Sequence, residues 1–353
     1  MVINLSRMKK KILMSVSALG LYLSIFIFLC SCSKNDVETQ SYTINITGYE
    51  DVVLDFALLA SKVDTLYFYV DENSIPVSMV QNIILTDSLL YVTDAGNSLS
   101  MFDRYSGKLL KQTVNIGRAS HEYLGIDDIK CMNDTVYILD ANSRKVIEYD
   151  KNLNYLGKVD LSFAPWDFEV TDDGFLFSRM DVAKDGRRFV HTDKRGCVLS
   201  KAVTASPLGE HIVMGKSLRR HTDCIYLHEL MSDKIYRWED GNAVTAYTVS
   251  FPDSKEKDAD GQTPILVKDY FVTSNHFICS FIYNQKQHYC IYSKEDGVMK
   301  TGSFDLKSGR PFSPTFQKGD SLVGIYSTED IKALSNWKPQ NEDCALTLFI
   351  YSF

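Results

Sequence analysis

Two stretches of the sequence, 46 residues apart, carry the same order of turn and strand signals. Residues 87–94 (DSLLYVTD) are followed by residues 100–103 (SMFD) and then by a Gly-Lys pair. Residues 133–140 (NDTVYILD) are followed in the same way by residues 147–150 (IEYD) and a second Gly-Lys pair. A polar turn thus leads into an apolar strand, and a second turn leads into a strand that ends in an aromatic residue followed by aspartate. This spacing is typical of a four-stranded propeller blade.

The same order recurs four more times with weaker similarity. The later copies span residues 173–196, 223–241, 275–297 and 320–351. Six copies predict an all-β fold, a six-bladed β-propeller with four-stranded antiparallel blades. A strand-like segment at residues 64–70 and the last strand, ending at Phe353, would share one blade and close the ring. Helical spacing is approached only by residues 52–61 and 328–335. A β-sandwich, or two stacked β domains, is the alternative fold.

The composition of the 353-residue chain is that of a folded globular protein. Hydrophobic residues make up 45% and charged residues 24%, and eight prolines are too few for a collagen-like or disordered chain. The net charge is −7, and it becomes −11 without residues 1–31, which carry four basic and no acidic side chains. Such an acidic surface repels phosphate backbones, so we expect no nucleic acid among the partners.

The N-terminus has the features of an export signal. Four basic residues precede an uncharged run over residues 12–29, and the run ends in the sequence LCSC at residues 29–32. This ending resembles the lipobox of bacterial lipoproteins. The resemblance implies cleavage before Cys32 and attachment of lipid to its thiol, and two or three acyl chains hold a protein to a membrane essentially permanently.

Two alternatives to lipidation at Cys32 stay open. Cys30 is the weaker lipidation site, because Phe28 and Leu29 precede it and neither is small. The uncharged run is also long enough to span a bilayer as a permanent anchor. We expect a protein that is lipid-anchored in the bacterial cell envelope, at the outer membrane. Its expected partners are the membrane, through the lipid, and an envelope protein or glycan.

The sequence divides into three predicted parts. Residues 1–31 form the lipoprotein signal peptide, residues 32–50 the lipidated cysteine and a polar tether, and residues 51–353 the propeller. Six cysteines lie in the propeller, at positions 131, 197, 224, 279, 290 and 344. Because they are scattered and several lie in apolar runs, we interpret them as buried free thiols, with disulfide pairing as the alternative.

The chain as a whole resembles the six-bladed β-propeller lipoproteins of bacteria, a family with NHL-like and TolB-like propellers. The resemblance rests on the strand at residues 63–68, the repeat, the final strand at residues 345–353, and the segments Ile116-Gly117-Arg118, Glu122-Tyr123 and Ile126-Asp127-Asp128. It covers residues 41–353 and implies the fold and membrane attachment more than an activity. One departure is the segment Ala119-Ser120-His121, which stands where the family has a glycine-rich approach to Glu-Tyr.

The segment around Arg118 is the first candidate ligand site. Arg118, His121, Glu122 and Tyr123 lie on a predicted loop between blades, where propellers often meet ligands. The alternative is structural, with Glu122 and Arg118 bonding to neighbouring loops. We do not expect a serine hydrolase, because Ser120 and His121 are adjacent on an extended chain and point to opposite sides. A nucleophilic serine also needs an orienting acid and oxyanion donors.

Metal ligation is the second possibility, although we expect no cofactor. His221 and His228 flank a predicted strand and could converge on the propeller axis with Glu229 or Asp269. A calcium site of axial carboxylates would resemble that of propeller lactonases and needs no local spacing. The carboxylates that could form it are Asp127, Asp128, Asp167 and Glu169.

Aromatic side chains are the third possibility. Trp166 and Trp337 lie beside prolines in predicted loops and could present flat rings to a sugar. Trp238 follows a strand and fits the core better. Three functions therefore stay open: a binding or scaffolding module for a protein or glycan, a metal-dependent hydrolase or lyase similar to lactonases, and a structural partner in an envelope complex. We favour the binding module.

Overall fold

The structure is a computed structural model. It describes residues 41–47, 53–54, 60–77, 79–182, 185–205, 215–229, 232–252, 267–283, 286–304, 314–334 and 344–353. The described residues form six sheets, which are the blades of a six-bladed propeller, and the predicted all-β fold class is confirmed. The signal peptide and Cys32 lie outside the described residues.

The strands are labelled in chain order. The first thirteen are β1 (Tyr42–Asn45), β2 (Val53–Leu54), β3 (Lys62–Phe68), β4 (Val80–Leu85), β5 (Leu89–Asp94), β6 (Leu99–Asp103), β7 (Leu109–Thr113), β8 (Asp128–Met132), β9 (Thr135–Asp140), β10 (Lys145–Asp150), β11 (Tyr155–Asp160), β12 (Pro165–Val170) and β13 (Gly174–Arg179). The others are β14 (Arg187–Asp193), β15 (Val198–Thr204), β16 (Leu218–His221), β17 (Cys224–His228), β18 (Lys234–Glu239), β19 (Asn242–Ser250), β20 (Val267–Val272), β21 (His276–Tyr283), β22 (Lys286–Ser293), β23 (Met299–Phe304), β24 (Phe316–Lys318), β25 (Ser321–Ser327) and β26 (Leu346–Ser352). Helix α1 (Thr328–Leu334) follows β25.

Each blade is built from consecutive antiparallel strands. Blades 1 to 5 use β4–β7, β8–β11, β12–β15, β16–β19 and β20–β23. In blades 1 to 4 and 6 the first strand lies innermost, because β4, β8, β12, β16 and β24 contact one another around the axis. The second and third strands of the blades are the ones that the sequence copies predict.

The ring closes as the sequence predicts. Blade 6 has the order β24-β25-β26-β3, so its outermost strand comes from the N-terminal part of the chain. Strand β3 pairs antiparallel with β26 from Lys62 opposite Ser352 to Phe68 opposite Leu346. Phe68 is fully buried, and its ring meets that of Phe102 in blade 1 at 5.6 Å between centroids. The pairing of β3 with β26 thus joins an N-terminal and a C-terminal strand in one blade, with β3 as its outer strand.

Two short strands extend the outer edges of blades 4 and 5. Strand β1 runs parallel to β19, and β2 runs parallel to β23. Ile44 and Ile46 are buried in the core between these blades. Part of the predicted tether, residues 42–46, therefore packs on the propeller. Residues 32–40 and 48–50 of that tether lie outside the described residues.

Because blades pack face to face, their middle strands are buried on both sides. In β5, five of six residues are buried, and Tyr91 belongs to one core cluster with Tyr149 of blade 2 and Tyr123 of the connection that leads to it. This explains why the predicted copies read as nearly continuous apolar runs.

The six propeller cysteines are free thiols; Cys279, Cys290 and Cys344 are buried, Cys197 is exposed and Cys131 and Cys224 are half-buried. Among the described residues, no helix is long and apolar enough to cross a membrane.

Candidate functional site

Two adjoining cavities lie along the propeller axis. The larger has a volume of about 470 Å³ and the smaller about 380 Å³. Their walls have in common Asn82, Lys216, Arg219, Thr315 and Phe316, so the two cavities meet at these side chains. Together they form what we call the axial channel.

The two cavities open toward opposite ends of the inner strands. The smaller one is lined by Asp127, Trp166 and Gly215, which lie at or just before the starts of inner strands. This end, where the chain passes from one blade to the next, is the connection end. The larger cavity reaches Thr222, Asp223 and other residues at the turns that follow inner strands. This end is the turn end.

A chain of five alternating charges runs along the wall of the larger cavity. It begins with Lys216, whose Nζ lies 2.7 Å from Asp128 Oδ1. Asp128 Oδ2 lies 3.3 Å from Lys130 Nζ, and the same ammonium lies 3.0 Å from Glu169 Oε1. Glu169 Oε2 accepts from the Nε–H of Arg220 at 3.3 Å. Three cations therefore share two carboxylates, and the members come from blades 2, 3 and 4.

The pKa of the Asp128 carboxyl reflects its place between two lysines. Burial by itself would raise the pKa of its carboxyl, but the ammonium groups of Lys130 and Lys216 hold that pKa below its ordinary value. The Asp128 side chain is 2% exposed, so its charge depends on these two partners. Burial would also lower the pKa of Lys130, yet the carboxylates of Asp128 and Glu169 raise it above the usual lysine value. Asp128 and Lys130 are therefore ionised at neutral pH.

Arg219 holds a second ion pair at the junction of the cavities. Its Nη2 and Nε lie 2.6 Å and 3.1 Å from Asp269 Oδ1. Its Nη1 donates to the carbonyl oxygen of Thr315 at 3.2 Å, and its Cζ lies 4.1 Å from the centre of the Phe271 ring. A single guanidinium thus connects blades 4, 5 and 6.

Polar side chains near the starts of the inner strands bond from one blade to the next. Asn82 donates to the carbonyl oxygen of Asp127 at 3.2 Å. Asp167 Oδ2 accepts from the backbone N–H groups of Ser217 and Leu218 at 2.7 Å and 3.0 Å. Burial raises the pKa of the Asp167 carboxyl. These contacts fix neighbouring blades against each other at the connection end.

The four carboxylates predicted as calcium ligands are therefore engaged with other groups. Asp128 and Glu169 bind cations, Asp167 accepts from backbone N–H groups, and Asp127 Oδ2 accepts from the N–H of Ala141 at 2.8 Å. Within the described part of the chain, no three His, Cys, Asp or Glu side chains are grouped so that they could hold a metal ion. The arrangement is that of a paired network and does not fit a calcium site.

The two predicted axial histidines do not converge. His221 Nε2 lies 2.8 Å from Asp320 Oδ1 of blade 6. His228 is buried in blade 4 with Nε2 at 3.2 Å from the carbonyl oxygen of Ser232, and burial lowers its pKa to about 4. Glu229 pairs with Arg188, and Asp269 with Arg219. The two histidines lie at opposite ends of strand β17 and have separate partners, so the structure does not bring them together in one site.

A family model for the domain of unknown function DUF4934 matches residues 71–346, which include most of the propeller. The chain belongs to the DUF4934 family. Among solved structures, a protein described as exported from Bacteroides fragilis is similar, with a TM-score of 0.67 and 16% identity over 89% of this chain and 99% of that one. A DUF4221 family member from Bacteroides vulgatus has a TM-score of 0.51 and 8% identity over 83% and 96% of the two chains. No curated protein matches the sequence significantly.

These similarities show the fold. At such low identities they say nothing about activity. The predicted resemblance to propeller lipoproteins is confirmed for the six-bladed fold, and membership of the NHL-like and TolB-like group stays a prediction.

Of the predicted aromatic residues, Trp166 lies at the channel. Its side chain is half-buried and lines the smaller cavity, and its indole N–H donates to the carbonyl oxygen of Gly215 at 3.1 Å. That bond fixes the ring in place. Trp238 packs beside His191 with 5.4 Å between ring centres, and it belongs to a core cluster as expected. Trp337 lies outside the described residues.

The segment Arg118–Tyr123 lies in the connection between blades 1 and 2, away from both cavities. Tyr123 is fully buried, and its hydroxyl donates to the carbonyl oxygen of Asn97 at 3.0 Å. Glu122 Oε2 accepts from the N–H of Ala119 at 2.8 Å, and the same carboxylate lies against Gly117, where any Cβ would collide with it. Arg118 and His121 are exposed. Tyr123 and Glu122 thus shape the loop, while ligand binding by this segment stays a prediction.

The sequence reasoning missed the cations of the channel, Lys130, Lys216, Arg219 and Arg220. A signal was present in residues 216–221 (KSLRRH), where basic side chains lie just before the turn of a predicted strand pair. Basic residues inside a strand that must be buried require carboxylates nearby. The carboxylates that meet this requirement, Asp128 and Glu169, belong to the inner strands of neighbouring blades.

Proposed function

We propose that the protein is a lipid-anchored binding module of the bacterial cell envelope, and that its ligand enters the axial channel. The volumes of the two cavities lie in the range of ligand pockets in proteins, roughly 300–1,000 Å³. The observation that carries the proposal is the set of ion pairs on the channel wall. Lys216, Asp128, Lys130, Glu169 and Arg220 hold one another in fixed positions without a ligand. Such preorganised polar groups favour binding.

The same pairing argues against the alternative, a hydrolase or lyase with an axial calcium ion. Calcium takes six to eight oxygen ligands, chiefly from carboxylates and carbonyls. The carboxylates of the channel would first have to leave their lysines and arginines. Breaking a buried ion pair costs about 3–5 kcal/mol when one partner is left without the other.

The location follows from the N-terminal sequence. Residues 12–32 combine an uncharged run with the lipobox-like ending at Cys32. The similar protein from Bacteroides fragilis is described as exported, which supports an extracytoplasmic location for this chain. The Cys32→Ala variant should move from the membrane fraction to the soluble fraction of the envelope, and the wild type should incorporate labelled fatty acid. Membrane retention of the variant would instead support an uncleaved anchor.

A blocked channel tests the binding function. Thr315 is exposed and lines both cavities, so Thr315→Trp should fill their junction. Thr43→Trp places the same ring on the outer edge of blade 4 and serves as the control. Residues 33–353 of each variant are screened against immobilised oligosaccharides and peptides.

Loss of at least tenfold in affinity for Thr315→Trp, with wild-type affinity for Thr43→Trp, is the expected result. Equal binding by both variants would place the ligand on another surface. Hydrolysis of lactones that stops when a chelator removes calcium would replace the binding function with the enzymatic alternative.

A further inference from the structure

The charges on the wall of the larger cavity are not equally accessible. Lys130, Lys216 and Arg220 have side chains that are 20%, 24% and 31% exposed, whereas Asp128 and Glu169 are 2% and 7% exposed. The carboxylates lie behind the cations and hold them toward the open space. A molecule that enters the cavity therefore meets ammonium and guanidinium groups first.

The described residues that line the two cavities also differ in charge. The larger cavity is lined by five basic and three acidic side chains, and the smaller by two of each. Arg219 and Lys318 pair with Asp269 and Asp87, which do not line the larger cavity. The surplus there is therefore that of Lys130, Lys216 and Arg220, three cations that share two carboxylates. In a recess with low-dielectric walls, such a surplus attracts anions more strongly than it would on an open surface.

The connection end adds a different kind of surface. There the half-buried indole of Trp166 lines the smaller cavity, fixed by its bond to Gly215. Lys216 and Arg219 line both cavities and so connect the indole with the cations of the larger one. A ligand that uses the whole channel needs an apolar ring face at one end and a negative charge at the other.

We infer that the axial channel binds an acidic oligosaccharide, with a sugar ring on the indole of Trp166 and a carboxylate of the next residues on Lys216, Lys130 and Arg220. A sugar ring has an apolar face that can stack on an aromatic ring, and hydroxyl groups at its edge. The indole of Trp166 offers such an aromatic face and is held in place through its N–H. An acidic peptide would satisfy the cations but has no need of the indole. This inference rests on the proposed function and names its ligand class.

The test compares two tetramers of the same shape and different charge. One probe is the tetramer of galacturonic acid, and the other is its fully methyl-esterified, neutral form. Affinities for residues 33–353 are measured by calorimetry at low and at high sodium chloride concentration. The acid should bind at least tenfold more tightly than the ester at low salt, and high salt should remove most of that difference.

Substitutions in the channel identify the groups that contact the acid. Lys216→Gln should weaken binding of the acid about tenfold and leave the ester unchanged, while Lys216→Arg keeps the charge and most of the affinity. Lys151→Gln removes an exposed lysine that pairs with Asp134 and should have no effect. Trp166→Ala should weaken both tetramers, and Trp166→Phe should restore part of the loss. Thermal unfolding of each variant confirms that it is folded.

Several results would overturn the inference. They are equal affinity for the acid and the ester, an unchanged affinity in Lys216→Gln, and equal or tighter binding of tetraglutamate or of inorganic phosphate. If neither tetramer binds but another ligand is lost in Thr315→Trp, this inference fails and the proposed function stands. If no ligand is sensitive to Thr315→Trp, the proposed function itself fails.

Discussion

The connection loop at residues 115–123 and the inner strands of the propeller both carry polar residues, but they use them differently. In the loop, polar groups bond within the loop and to the two blades that it joins: Glu122 to Ala119, Tyr123 to Asn97 of blade 1, and the Glu122 carbonyl to Lys145 of blade 2. In the inner strands, they bond to other blades. Lys216 and its partner Asp128 are 88 positions apart in the sequence and lie on blades 4 and 2.

This difference separates a structural element from a site. A loop whose polar groups are satisfied within it and by its two flanking blades has a fixed shape, and only its exposed side chains are left for a ligand. The channel wall is built from charges that several blades contribute, so its geometry exists only in the closed ring. The comparison predicts that changes in the loop core act on stability, whereas changes on the channel wall act on stability and on binding together.

The largest effect is expected from Tyr123→Ala. The ring is fully buried between blades 1 and 2, and its hydroxyl donates one hydrogen bond and accepts another. Loss of such a side chain should lower the free energy of unfolding by about 4 kcal/mol in a urea titration. Tyr105→Ala, at a position that is 82% exposed, should change it by less than about 0.5 kcal/mol. A loss below about 1 kcal/mol for Tyr123→Ala would contradict a structural role for this loop.

The next effect is expected from Asp128→Ala on the channel wall. It leaves Lys130 and Lys216 facing each other without the carboxylate between them. We expect a loss of about 3 kcal/mol in the free energy of unfolding, since one partner of a buried charge network is removed. Asp160→Ala, which removes the exposed partner of Lys158, is the matched control and should cost less than about 0.5 kcal/mol. If both substitutions cost the same, the chain of charges contributes nothing to the fold.

A pH titration of the free energy of unfolding distinguishes the contribution of His228, in the core of blade 4, from that of Asp128 on the channel wall. Burial lowers the pKa of His228 to about 4, below its unfolded value near 6.5, so the folded state binds the proton less well. Stability from this group is present above pH 6.5 and is lost as the pH falls toward 4, by about 3 kcal/mol. The lowered pKa of Asp128 acts in a different range, because its stabilisation is lost only as the pH falls below about 3.8. His228→Gln should remove the first decrease and keep the second; one transition unaffected by His228→Gln would refute the assignment.

The sequence allowed the fold to be predicted because the repeated signal comes from the second and third strands. In β5 and β9 both faces are buried, so the apolar runs and their turns recur with little variation. The closing strand β3 was also predictable, since an unpaired strand at each end of the chain must find an edge. Strand β1 was not, because a four-residue strand with one fully buried side chain resembles a polar tether.

The site was harder to predict for a physical reason. The charges of the channel lie on inner strands of several blades, and many are matched by residues of other blades: Lys130 by Glu169, Arg219 by Asp269. Nothing in the local sequence of either partner shows the match. Trp166 could be predicted because a tryptophan beside a proline stands out in the sequence. Asp128 and Glu169 were predicted as possible metal ligands, whereas in the structure they pair with lysines and an arginine.

The smallest effect is expected from the exposed side of the loop, where Arg118→Ala and His121→Ala should change the free energy of unfolding by less than about 0.5 kcal/mol. Both side chains are exposed. The ring of His121 lies edge-on to that of Tyr155 at 6.1 Å between centroids, and its backbone carbonyl accepts from the hydroxyl of Tyr149 at 2.7 Å. If the channel is the binding site, ligand affinity should also stay unchanged, because these residues line neither cavity. The affinity is measured by calorimetry, with the ligand whose binding is lost in the Thr315→Trp variant. A tenfold loss in either variant would show that the ligand extends from the channel over the connection loop, and the loop would then belong to the binding surface.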